Sequence, residues 1–458
     1  MSADGLRESV EKMRAEGVAD AAIATFGELY ERLVAGETGL IAESEIEPVE
    51  ALPDAEELPP GGEDVLDQAV VLKLNGGLGT SMGLSGPKSL LEVKEGLTFL
   101  DLTARQVLAL RERHGVRLPL VLMDSFSTRE PSLELLRRYP ELAADVPADF
   151  LQNKEPKLLA DELRPVSWPA DPGLEWCPPG HGDLYTALAT SGMLAALLDA
   201  GYRYAFVANV DNLGAVLDPR ILGWFASEEI PFLMEVADRT EADRKGGHLA
   251  RRRDGSLVLR ETAQTPDEDL AAFQDVTRHR FFNTNNLWLD LRALDAVMRE
   301  RDGVLGLPMI VNRKTVDPRD GSTPAVLQLE TAMGAAIGVF EGARALRVPR
   351  SRFAPVKTTD DLLALRSDAY VVTEDWHVTL APERDGPPLI ELDDRFYKRV
   401  GDFEARFAEG APSLIGCRSL AVDGDVAFGR DVVVRGDVRV RHDGAGQRRI
   451  DDGTVLEG

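Results

Sequence analysis

Short apolar runs alternate with amphipathic stretches through the middle of the chain, from residue 68 to about residue 375. In chain order the clearest runs read QAVVLKL, LPLVLM, YRYAFVANV, IPFLMEV and NNLWLDL. Alternation of this kind is typical of βαβ units, in which helices cover both faces of a sheet. We therefore predict a doubly wound α/β domain with a largely parallel, mixed sheet over residues 68–375. Ligands of such sheets bind beyond the carboxyl ends of strands, so the loops after these runs are candidate sites.

The chain has a different character before this region. Residues 1 to about 42 show apolar positions at helical spacing, as in VEKMRAEGV and AAIATFGELYERLV, which predicts two amphipathic helices. Residues 43–64 are rich in acidic residues and proline and contain no basic residue. This composition favours an extended, solvated linker or a segment that wraps the surface. We therefore assign residues 1–67 to an N-terminal helical segment and an acidic linker.

A six-residue repeat marks the end of the chain. In SLAVDGDVAFGRDVVVRGDVRV the apolar positions with this spacing are Leu420, Val426, Val432 and Val438. Hexapeptide coils of a β-helix show this spacing, although a pair of β-hairpins would also fit. We predict a C-terminal domain, residues 376–458, with β-helix-like repeats. The open end of such a stack exposes unpaired strands, which favours a homo-oligomer formed through this domain.

Composition narrows the class of protein. With 458 residues the chain is long enough for two or three domains. It has no apolar run of the roughly 18–20 residues that span a membrane and no signal-peptide pattern, so we expect a soluble, cytoplasmic protein. The net charge of −26 disfavours nucleic acids and anionic membranes as partners. Cys177 and Cys417 are far apart in sequence, which indicates two reduced thiols.

The basic residues are unevenly chosen, with 42 Arg against only 10 Lys. A lysine ammonium is a compact point charge, whereas the guanidinium of arginine is a planar fork of donors. Lysines retained in the loops of an arginine-rich chain are therefore candidates for contact with small anionic ligands. Three such lysines are Lys88, Lys245 and Lys357.

A glycine-rich stretch, KLNGGLGTSMGLSGPKS, follows the first predicted strand. It does not match a dinucleotide fingerprint, because the best G-x-G-x-x-G alignment ends in Met82 and lacks the acidic residue expected after a second strand. It does not match a P-loop, because Pro87 removes an amide from the phosphate cradle. We interpret the stretch as a hollow of backbone amides for a base or a phosphate, with Lys88 as counter-charge.

This stretch and the motifs after it resemble one family. LNGGLGTSMGLSGPKS is similar to the signature of the eukaryotic-type UTP–glucose-1-phosphate uridylyltransferases, also called UDP-glucose pyrophosphorylases. The resemblance covers roughly residues 70–365, in the order of that family, through LVLMDSFST, FLQNKEPKL, PPGHGDLYTAL, NVDNLGA, RKGGHLA, ETAQTPDEDLAAFQ, FFNTNNLWL, LQLETAMGAAIG and VPRSRFAPVKTTDDLL. It implies a Rossmann-like nucleotidyltransferase domain and a C-terminal left-handed β-helix. It also implies Mg²⁺-dependent transfer of UMP from UTP to glucose 1-phosphate, with release of pyrophosphate.

The resemblance also implies roles for individual residues. Lys88 and Lys357 match catalytic lysines that touch the substrates' phosphates. Asp211 follows the buried run YAFVANV at the sheet edge where a nucleotide metal would sit, and we expect it to bind Mg²⁺. The residues expected to bind the nucleotide are Leu74, Asn75, Gly76, Gly77, Lys88, Gln152, Gly180, Asn209, Asp211 and Lys357. The candidates for contact with the sugar phosphate are Gly76, Gly77, His181, Glu261 and Asn286.

Side-chain chemistry agrees with several of these roles. Gln152 carries both a donor and an acceptor, as recognition of a uracil edge requires. His181 lies between two glycines, and we expect it to act by hydrogen bonding or charge neutralisation. Glu261 and Asn286 suit neighbouring sugar hydroxyls. Lys245 fits a substrate contact and an exposed turn equally well.

Two departures from the family pattern stand out. NRKTVDPRDGSTPAVLQLE looks longer than the equivalent loop, and Asp124 occupies a position where we expect an amide. Two other functions stay open: a pyrophosphorylase for another sugar 1-phosphate, such as that of an N-acetylhexosamine or galactose, and a non-catalytic nucleotide-binding scaffold. The first usually has Arg after the Gly-Thr of its loop, where this chain has Ser81.

Overall fold

The structure, a computed structural model, describes residues 2–458. Its helices are α1 (Ser2–Ala15), α2 (Asp20–Val34), α3 (Phe99–His114), α4 (Arg129–Leu136), α5 (Asp183–Thr190), α6 (Met193–Asp199), α7 (Pro219–Ser227), α8 (Leu270–Phe273), α9 (Leu291–Glu300), α10 (Thr359–Arg366), α11 (Asp394–Tyr397) and α12 (Val400–Arg406).

The strands up to residue 347 form the central ten-stranded sheet and three small accessory sheets. They are β1 (Ile46–Pro48), β2 (Ala69–Asn75), β3 (Glu92–Lys94), β4 (Leu97–Thr98), β5 (Leu120–Asp124), β6 (Asp149–Leu151), β7 (Glu155–Pro156), β8 (Leu158–Leu159), β9 (Trp176–Cys177), β10 (Tyr204–Asn209), β11 (Phe232–Asp238), β12 (His248–Arg252), β13 (Leu257–Arg260), β14 (Phe281–Asp290), β15 (Ile310–Thr315), β16 (Ala325–Glu330) and β17 (Arg344–Arg347). The strands beyond it are β18 (Tyr370–Val372), β19 (Val378–Leu380), β20 (Leu389–Leu392), β21 (Cys417–Asp423), β22 (Val426–Phe428), β23 (Val433–Arg441), β24 (Arg448–Ile450) and β25 (Val455–Glu457).

The central sheet has ten strands and the main order β1-β12-β14-β10-β2-β5-β6. Strands β10, β2, β5 and β6 form a parallel block, and β11 pairs in parallel with β17. Strand β14 runs antiparallel to both β10 and β11. The predicted α/β fold with a mixed, largely parallel sheet is thereby confirmed.

Both faces of this sheet are buried. Along β2, Val70 and Leu72 pack into one hydrophobic cluster together with α5, α6 and α9, while Ala69 and Val71 pack into another together with α3 and α7. A strand covered on both sides has no polar face, so it reads as a continuous apolar run in the sequence. The double burial leaves the ends of the strands as the places where polar groups can meet a ligand.

The N-terminal segment contains the two predicted helices, α1 and α2. The acidic stretch after them differs from a solvated linker, because Ile46–Pro48 forms strand β1 and pairs antiparallel with β12. Ile46 is buried, and the Glu43 carboxylate accepts hydrogen bonds from Arg260 and Arg278. Arginines elsewhere in the chain neutralise this acidic segment and let it dock as an edge strand.

The C-terminal strands stack in parallel. Leu420 on β21 pairs with Val438 on β23, one coil later in the chain, and β22 pairs in parallel with β24. The side chains of the six-residue repeat all point inward, since Leu420, Val426, Val432 and Val438 are buried. Their cluster extends to Met82 in the glycine-rich stretch. The repeat therefore forms parallel strands that pack beside that stretch, while their arrangement as a left-handed β-helix stays a prediction.

Two observations concern the chain as a whole. Over residues 2–458, no helix combines the length and the apolar character that crossing a membrane requires. Cys177 and Cys417 are both buried and free.

Candidate active site

The carboxyl ends of three neighbouring parallel strands, β2, β5 and β10, meet at one edge of the central sheet. Asn75 at the end of β2 lies in register with Asp124 at the end of β5, and Asn209 at the end of β10 lies in register with Leu74. The Val210 N–H donates to the Leu74 carbonyl just beyond this pair. Three of the loops predicted to carry chemistry therefore start side by side.

The glycine-rich loop after β2 folds back on itself. The N–H of Lys88 donates to the carbonyl of Gly77 at 3.0 Å, which brings the lysine beside the start of the loop. Gly79 adopts a left-handed backbone with φ of 61°, a conformation that favours glycine. A Cβ added at Gly77 would have no heavy atom within 4 Å. The loop therefore borders open space next to Gly77.

Lys88 and Asp211 form an ion pair beside this loop. Nζ of Lys88 lies 2.6 Å from Oδ2 of Asp211, and the two side chains are 15% and 21% exposed. Asp211 follows the end of β10, so the pair joins the loops of two parallel strands. Both charged groups remain partly open to solvent, where a charged ligand can reach them.

Gln152 lies against Gly76. A Cβ built on Gly76 would come within 2.6 Å of Oε1 of Gln152, so this contact depends on glycine at position 76. The N–H of Gln152 donates to the carbonyl of Asp124 at 2.8 Å, which fixes its backbone at the end of β6. The structure thus brings together two residues predicted to bind the nucleotide.

The side chain of Asn75 does not face the loop. It is 1% exposed, and its Nδ2 donates to Oδ1 of Asp124 at 2.7 Å and to Oγ of Ser132 at 2.8 Å. The side chain of Asn75 is therefore occupied within the protein and does not reach a ligand at this edge. Leu74 and Asn209 are half-buried at the same edge.

A tight turn at Gly180 presents His181. The backbone of Gly180 is left-handed, with φ of 78°, and a Cβ there would lie 2.5 Å from the carbonyl oxygen of Thr331. The N–H of Gly182 donates to the same carbonyl at 2.8 Å. The left-handed backbone and the close approach of the Thr331 carbonyl both require glycine at position 180. The hydrogen bond from Gly182 to that carbonyl fixes the loop that carries His181.

His181 is held as a neutral imidazole. The Met333 N–H donates to its Nδ1 at 3.0 Å, which leaves the ring proton on Nε2. His181 is exposed to solvent, yet the protein around the ring desolvates it and lowers the pKa of His181 to about 4. The ring is therefore uncharged near neutral pH. Of the two roles predicted for it, the geometry supports hydrogen bonding and not charge neutralisation.

Lys357 and Glu261 lie near one another. Burial raises the pKa of Glu261, and the positive charge of Lys357 opposes this shift. The Lys357 side chain is exposed, while its N–H donates to Oδ2 of Asp361 at 2.7 Å and fixes its backbone before α10. Two candidate residues from distant parts of the sequence thus share one region.

Glu261 packs against glycine on its other side. A Cβ at Gly247 would collide with the Glu261 carboxylate, so this approach requires the second glycine of RKGG. Lys245 precedes that glycine pair, and its carbonyl accepts a hydrogen bond from Oγ1 of Thr262 at 2.7 Å. The backbone of Lys245 therefore lies beside Glu261, while its side chain is exposed.

Asn286 lies outside the open part of the site, contrary to the expectation from the sequence. It is fully buried on β14, where its Nδ2 donates to Oε2 of Glu235 at 3.0 Å and to the carbonyl of Arg352 at 3.2 Å. Its Oδ1 accepts from Nδ2 of Asn212 at 3.2 Å. All its hydrogen-bonding groups have partners within the protein, so none is left for a sugar hydroxyl.

The neighbouring asparagines are placed differently. The N–H of Asn283 donates to the carbonyl of Gly247 at 3.0 Å, next to Glu261. Asn285 has φ of 59°, a left-handed conformation that is uncommon outside glycine, although asparagine adopts it more readily than most residues. Its N–H and Oδ1 both bond to the side chain of Asn283. Such strain is often found at functional sites, and the sequence offered no signal that separated these asparagines from Asn286.

Glu235 is the centre of a buried network that the sequence analysis missed. This carboxylate on β11 is fully buried and accepts hydrogen bonds at 2.6–3.0 Å from Asn286, from Nε1 of Trp288 and from two nitrogens of Arg352. A buried carboxylate is retained only when it is paired in this way. The available signal was the single charged residue within the apolar run IPFLMEV.

The network joins two segments that carry candidate catalytic residues. Nδ2 of Asn212 donates to the carbonyl of Arg352 at 3.1 Å, and its Oδ1 accepts from the N–H of Ala354 at 2.9 Å. Asn212 directly follows Asp211, and the segment of Arg352 and Ala354 leads to Lys357. The positions of Asp211 and Lys357 are therefore coupled through Asn212.

A second pair missed from the sequence links the loops of Gln152 and His181. The N–H and Nδ2 of Asn153 donate to the carboxylate of Asp183 at 2.6 Å and 2.8 Å. Asp183 is buried at the start of α5, and this burial raises its pKa to about 7, against the opposing effect of the bonds from Asn153. The two loops are therefore joined by a buried contact.

The fold and the arrangement of this cleft define an α/β nucleotidyltransferase. Comparison with known proteins then gives the family. The sequence profile described as UTP--glucose-1-phosphate uridylyltransferase matches residues 23–435, and the chain belongs to this family. The resemblance predicted from the motifs is confirmed.

Relatives and solved structures agree with this assignment. The uridylyltransferase of Solanum tuberosum is 43% identical over 412 residues, which cover 89% of this chain and 84% of the relative. That of Hordeum vulgare is 41% identical over 465 residues, covering 99% and 95%. A point mutant of the UDP-glucose pyrophosphorylase of Leishmania major, crystallised with UDP-glucose, is 48% identical with a TM-score of 0.93, covering 99% of this chain and 98% of that one.

Proposed function

We propose that this protein transfers UMP from UTP to glucose 1-phosphate, giving UDP-glucose and pyrophosphate. Its plant relatives are named for this reaction, and a structural neighbour was crystallised with UDP-glucose. The observation that carries the proposal is the ion pair of Lys88 and Asp211 beside the open backbone of Gly77. In a chain with a net charge of −26, this local arrangement suits anionic substrates and a cation.

The reaction is a displacement at phosphorus. A phosphate oxygen of glucose 1-phosphate forms a bond to the α-phosphorus of UTP, the bond from that phosphorus to the bridging oxygen breaks, and pyrophosphate leaves. The attacking oxygen is already ionised, so the protein does not need to supply a general base. The main obstacle is repulsion between two polyanions, which cationic side chains and backbone amides reduce.

The nucleotide binds along the glycine-rich loop in this proposal. Gln152 reads the uracil edge with one donor and one acceptor, and Gly76 lets the base approach the backbone. Lys88 contacts the phosphates of UTP, and Lys357 bridges the phosphates of both substrates. The remaining nucleotide contacts come from Leu74, the backbone of Asn75, Gly77, Gly180, Asn209 and Asp211.

The sugar phosphate binds toward His181 and Glu261, with Gly76 and Gly77 beside it. The neutral His181 donates through Nε2–H to an oxygen of glucose 1-phosphate, and the Glu261 carboxylate accepts from sugar hydroxyls. Asn285 contacts the sugar hydroxyls in place of Asn286, because the Asn286 amide is already hydrogen-bonded within the Glu235 network.

Mg²⁺ is the proposed cofactor, with Asp211 as its ligand from the protein. The Lys88 ammonium, 2.6 Å away, indicates that this carboxylate stabilises a positive charge. No cluster of three or more His, Cys, Asp or Glu side chains among the described residues could hold a metal by itself. This fits the regime in which Mg²⁺ is bound by one carboxylate, water and substrate phosphates. When bound, the ion supplies charge shielding for the phosphates.

Release of pyrophosphate tests the proposal. With UTP, glucose 1-phosphate and Mg²⁺, we expect rapid formation of UDP-glucose and an equal amount of pyrophosphate. A panel of sugar 1-phosphates should show a preference for glucose, whereas a clear preference for an N-acetylhexosamine or galactose 1-phosphate would assign the protein to another substrate. Folded protein that binds UTP and releases no pyrophosphate would support the scaffold function.

The C-terminal residues 376–458 are proposed as a left-handed β-helix-like domain through which copies of the chain associate. Leu389 on β20 is 61% exposed and Val455 on β25 is 48% exposed, and these strands form the two edges of one parallel sheet. Exposed apolar edge strands are suited to pairing with a second copy. Light scattering of the wild type and of Leu389→Lys and Val455→Lys variants tests this, and a monomeric wild type would refute it.

A further inference from the structure

Asn75 and Asp124 leave two buried acceptors without a donor. The two residues pair in register on β2 and β5, and they are 1% and 0% exposed. Nδ2 of Asn75 donates to Oδ1 of Asp124 at 2.7 Å. The other oxygen of each side chain, Oδ1 of Asn75 and Oδ2 of Asp124, is buried and has no hydrogen-bond partner. Unsatisfied acceptors on two adjacent buried side chains are costly and require an explanation.

A single proton on Oδ2 of Asp124 gives both of these oxygens a hydrogen-bond partner. A carboxylic acid and a primary amide side by side can exchange two hydrogen bonds: the amide N–H donates to one acid oxygen, and the acid O–H donates to the amide oxygen. Turning the Asn75 amide over does not replace this proton, because it would place an amide oxygen against Oδ1 of Asp124. We propose that Asp124 is a positioning residue of the nucleotide site, which supports binding when it carries a proton on Oδ2 shared with Asn75.

The surroundings of Asp124 agree with a protonated acid. Burial raises its pKa to about 6, against the lowering effect of hydrogen bonds from Asn75 and Thr128. The charged groups that face it are Asp149 on β6, which raises the pKa, and Arg129 on α4, which lowers it. Arg129 is paired with Asp149 at 2.6 Å, so it does not provide a full counter-charge to Asp124.

Asp124 touches both halves of the proposed base site. Its side chain holds Asn75, which directly precedes Gly76, and its carbonyl accepts the N–H of Gln152 at 2.8 Å. Gly76 and Gln152 lie against one another, and they are the two residues proposed to contact the uracil. Ionised Asp124 would repel the amide oxygen of Asn75 and loosen the start of the glycine-rich loop. The inference rests on the proposed placement of the uracil at Gly76 and Gln152.

The affinity for UDP-glucose should depend on pH through Asp124. This ligand is a suitable probe because its phosphates and its uracil keep the same charge between about pH 5.5 and 8. We expect wild-type affinity to fall about 10-fold over this range, which by linkage requires the bound ligand to raise the pKa of Asp124. Asp124→Asn presents the same donor and acceptor as the protonated acid at every pH. Its affinity should equal that of the wild type at pH 5.5 and exceed it at pH 8.

The test is calorimetric titration of UDP-glucose into both proteins across this pH range, together with a carboxyl carbon NMR titration of Asp124 in the wild-type protein. Other groups titrate in this range, among them Asp183, but they are common to both proteins and cancel in the comparison. Equal pH profiles for the two proteins, or an Asp124 pKa near that of an exposed aspartate, would overturn the inference. Failure of both proteins to bind UDP-glucose would instead refute the proposed function, while the NMR titration would still report on the shared proton.

Discussion

The ammonium of Lys88 lies 2.6 Å from the carboxylate of Asp211, although the two residues come from loops that follow different strands of the parallel block. The pair places a positive and a negative charge at the same point of the sheet edge. A phosphate can replace the carboxylate as the partner of Lys88, and a divalent cation can replace the ammonium as the partner of Asp211. The ion pair thus marks the point where the phosphates of UTP and the proposed metal would meet.

Removal of either lysine charge should abolish most of the turnover. Lys88→Met and Lys357→Met keep an apolar stem of similar length and remove the ammonium, so we expect kcat to fall by roughly two to three orders of magnitude. Lys398→Met is the matched control, because Lys398 is exposed and 3.9 Å from its nearest acidic partner. Initial rates of pyrophosphate release measure the effect. A Lys88→Met or Lys357→Met enzyme as fast as the control would show that the assigned role is wrong.

Substitution by alanine should affect stability at one glycine of the site and ligand binding at another. At Gly180 a Cβ meets the Thr331 backbone in a left-handed conformation, so Gly180→Ala should cost on the order of 1–3 kcal/mol of stability and displace His181. At Gly77 the Cβ would point into open space, so Gly77→Ala should keep the wild-type Tm and weaken UTP binding by occupying the proposed phosphate hollow. Thermal unfolding and UTP titration of both variants separate the two effects. Loss of stability in Gly77→Ala would contradict the open-space interpretation.

Much of the fold could be predicted because strands that are buried on both faces appear in the sequence as continuous apolar runs. Strand β14 shows the limit of this signal: NNLWLDL marks only its second half, since Asn283 and Asn285 interrupt the pattern where β14 becomes irregular. The segment 43–49 shows another limit. Its acidic composition suggested solvent, but Arg260 and Arg278 neutralise it, and ion pairs between distant residues are not visible in local composition.

The residues of the candidate site also differ in whether the sequence could identify them. Residues in glycine-rich or otherwise distinctive loops, such as Gly76, Lys88 and His181, could be identified from motifs. The residues that hold those loops, Glu235 and Asp183, could not, because their roles depend on partners brought together by the tertiary fold.

Neutralising Glu235 should destabilise the protein far more than neutralising an exposed glutamate. Glu235→Gln leaves the Arg352 guanidinium buried without a counter-charge, and loss of one partner of such a pair costs about 3–5 kcal/mol. Glu228→Gln is the control, since its pair with Arg344 is about half exposed and should contribute less than about 1 kcal/mol. Denaturant unfolding measures both. Similar unfolding midpoints for the two variants would show that the buried network contributes little to stability.

The buried carboxyl of Asp183 should make stability depend on pH. Burial raises its folded pKa to about 7, above the value of about 3.9 for an unfolded aspartate, so the folded state binds the proton more tightly than the unfolded state. Its favourable contribution is therefore complete below about pH 4, declines as the pH rises through about 7, and stays constant above that.

Asp183→Asn keeps the neutral form at every pH and removes this dependence. The difference in unfolding free energy between wild type and variant should change by a few kcal/mol, on the order of 3, from pH 4 to 8. The wild type should lose stability relative to the variant as the pH rises, because the ionised carboxylate is desolvated and Asn153 compensates for it only in part. Denaturant unfolding of both proteins at a series of pH values provides the measurement. A difference that is constant with pH would mean that Asp183 is ionised throughout, and that the two hydrogen bonds from Asn153 outweigh its burial.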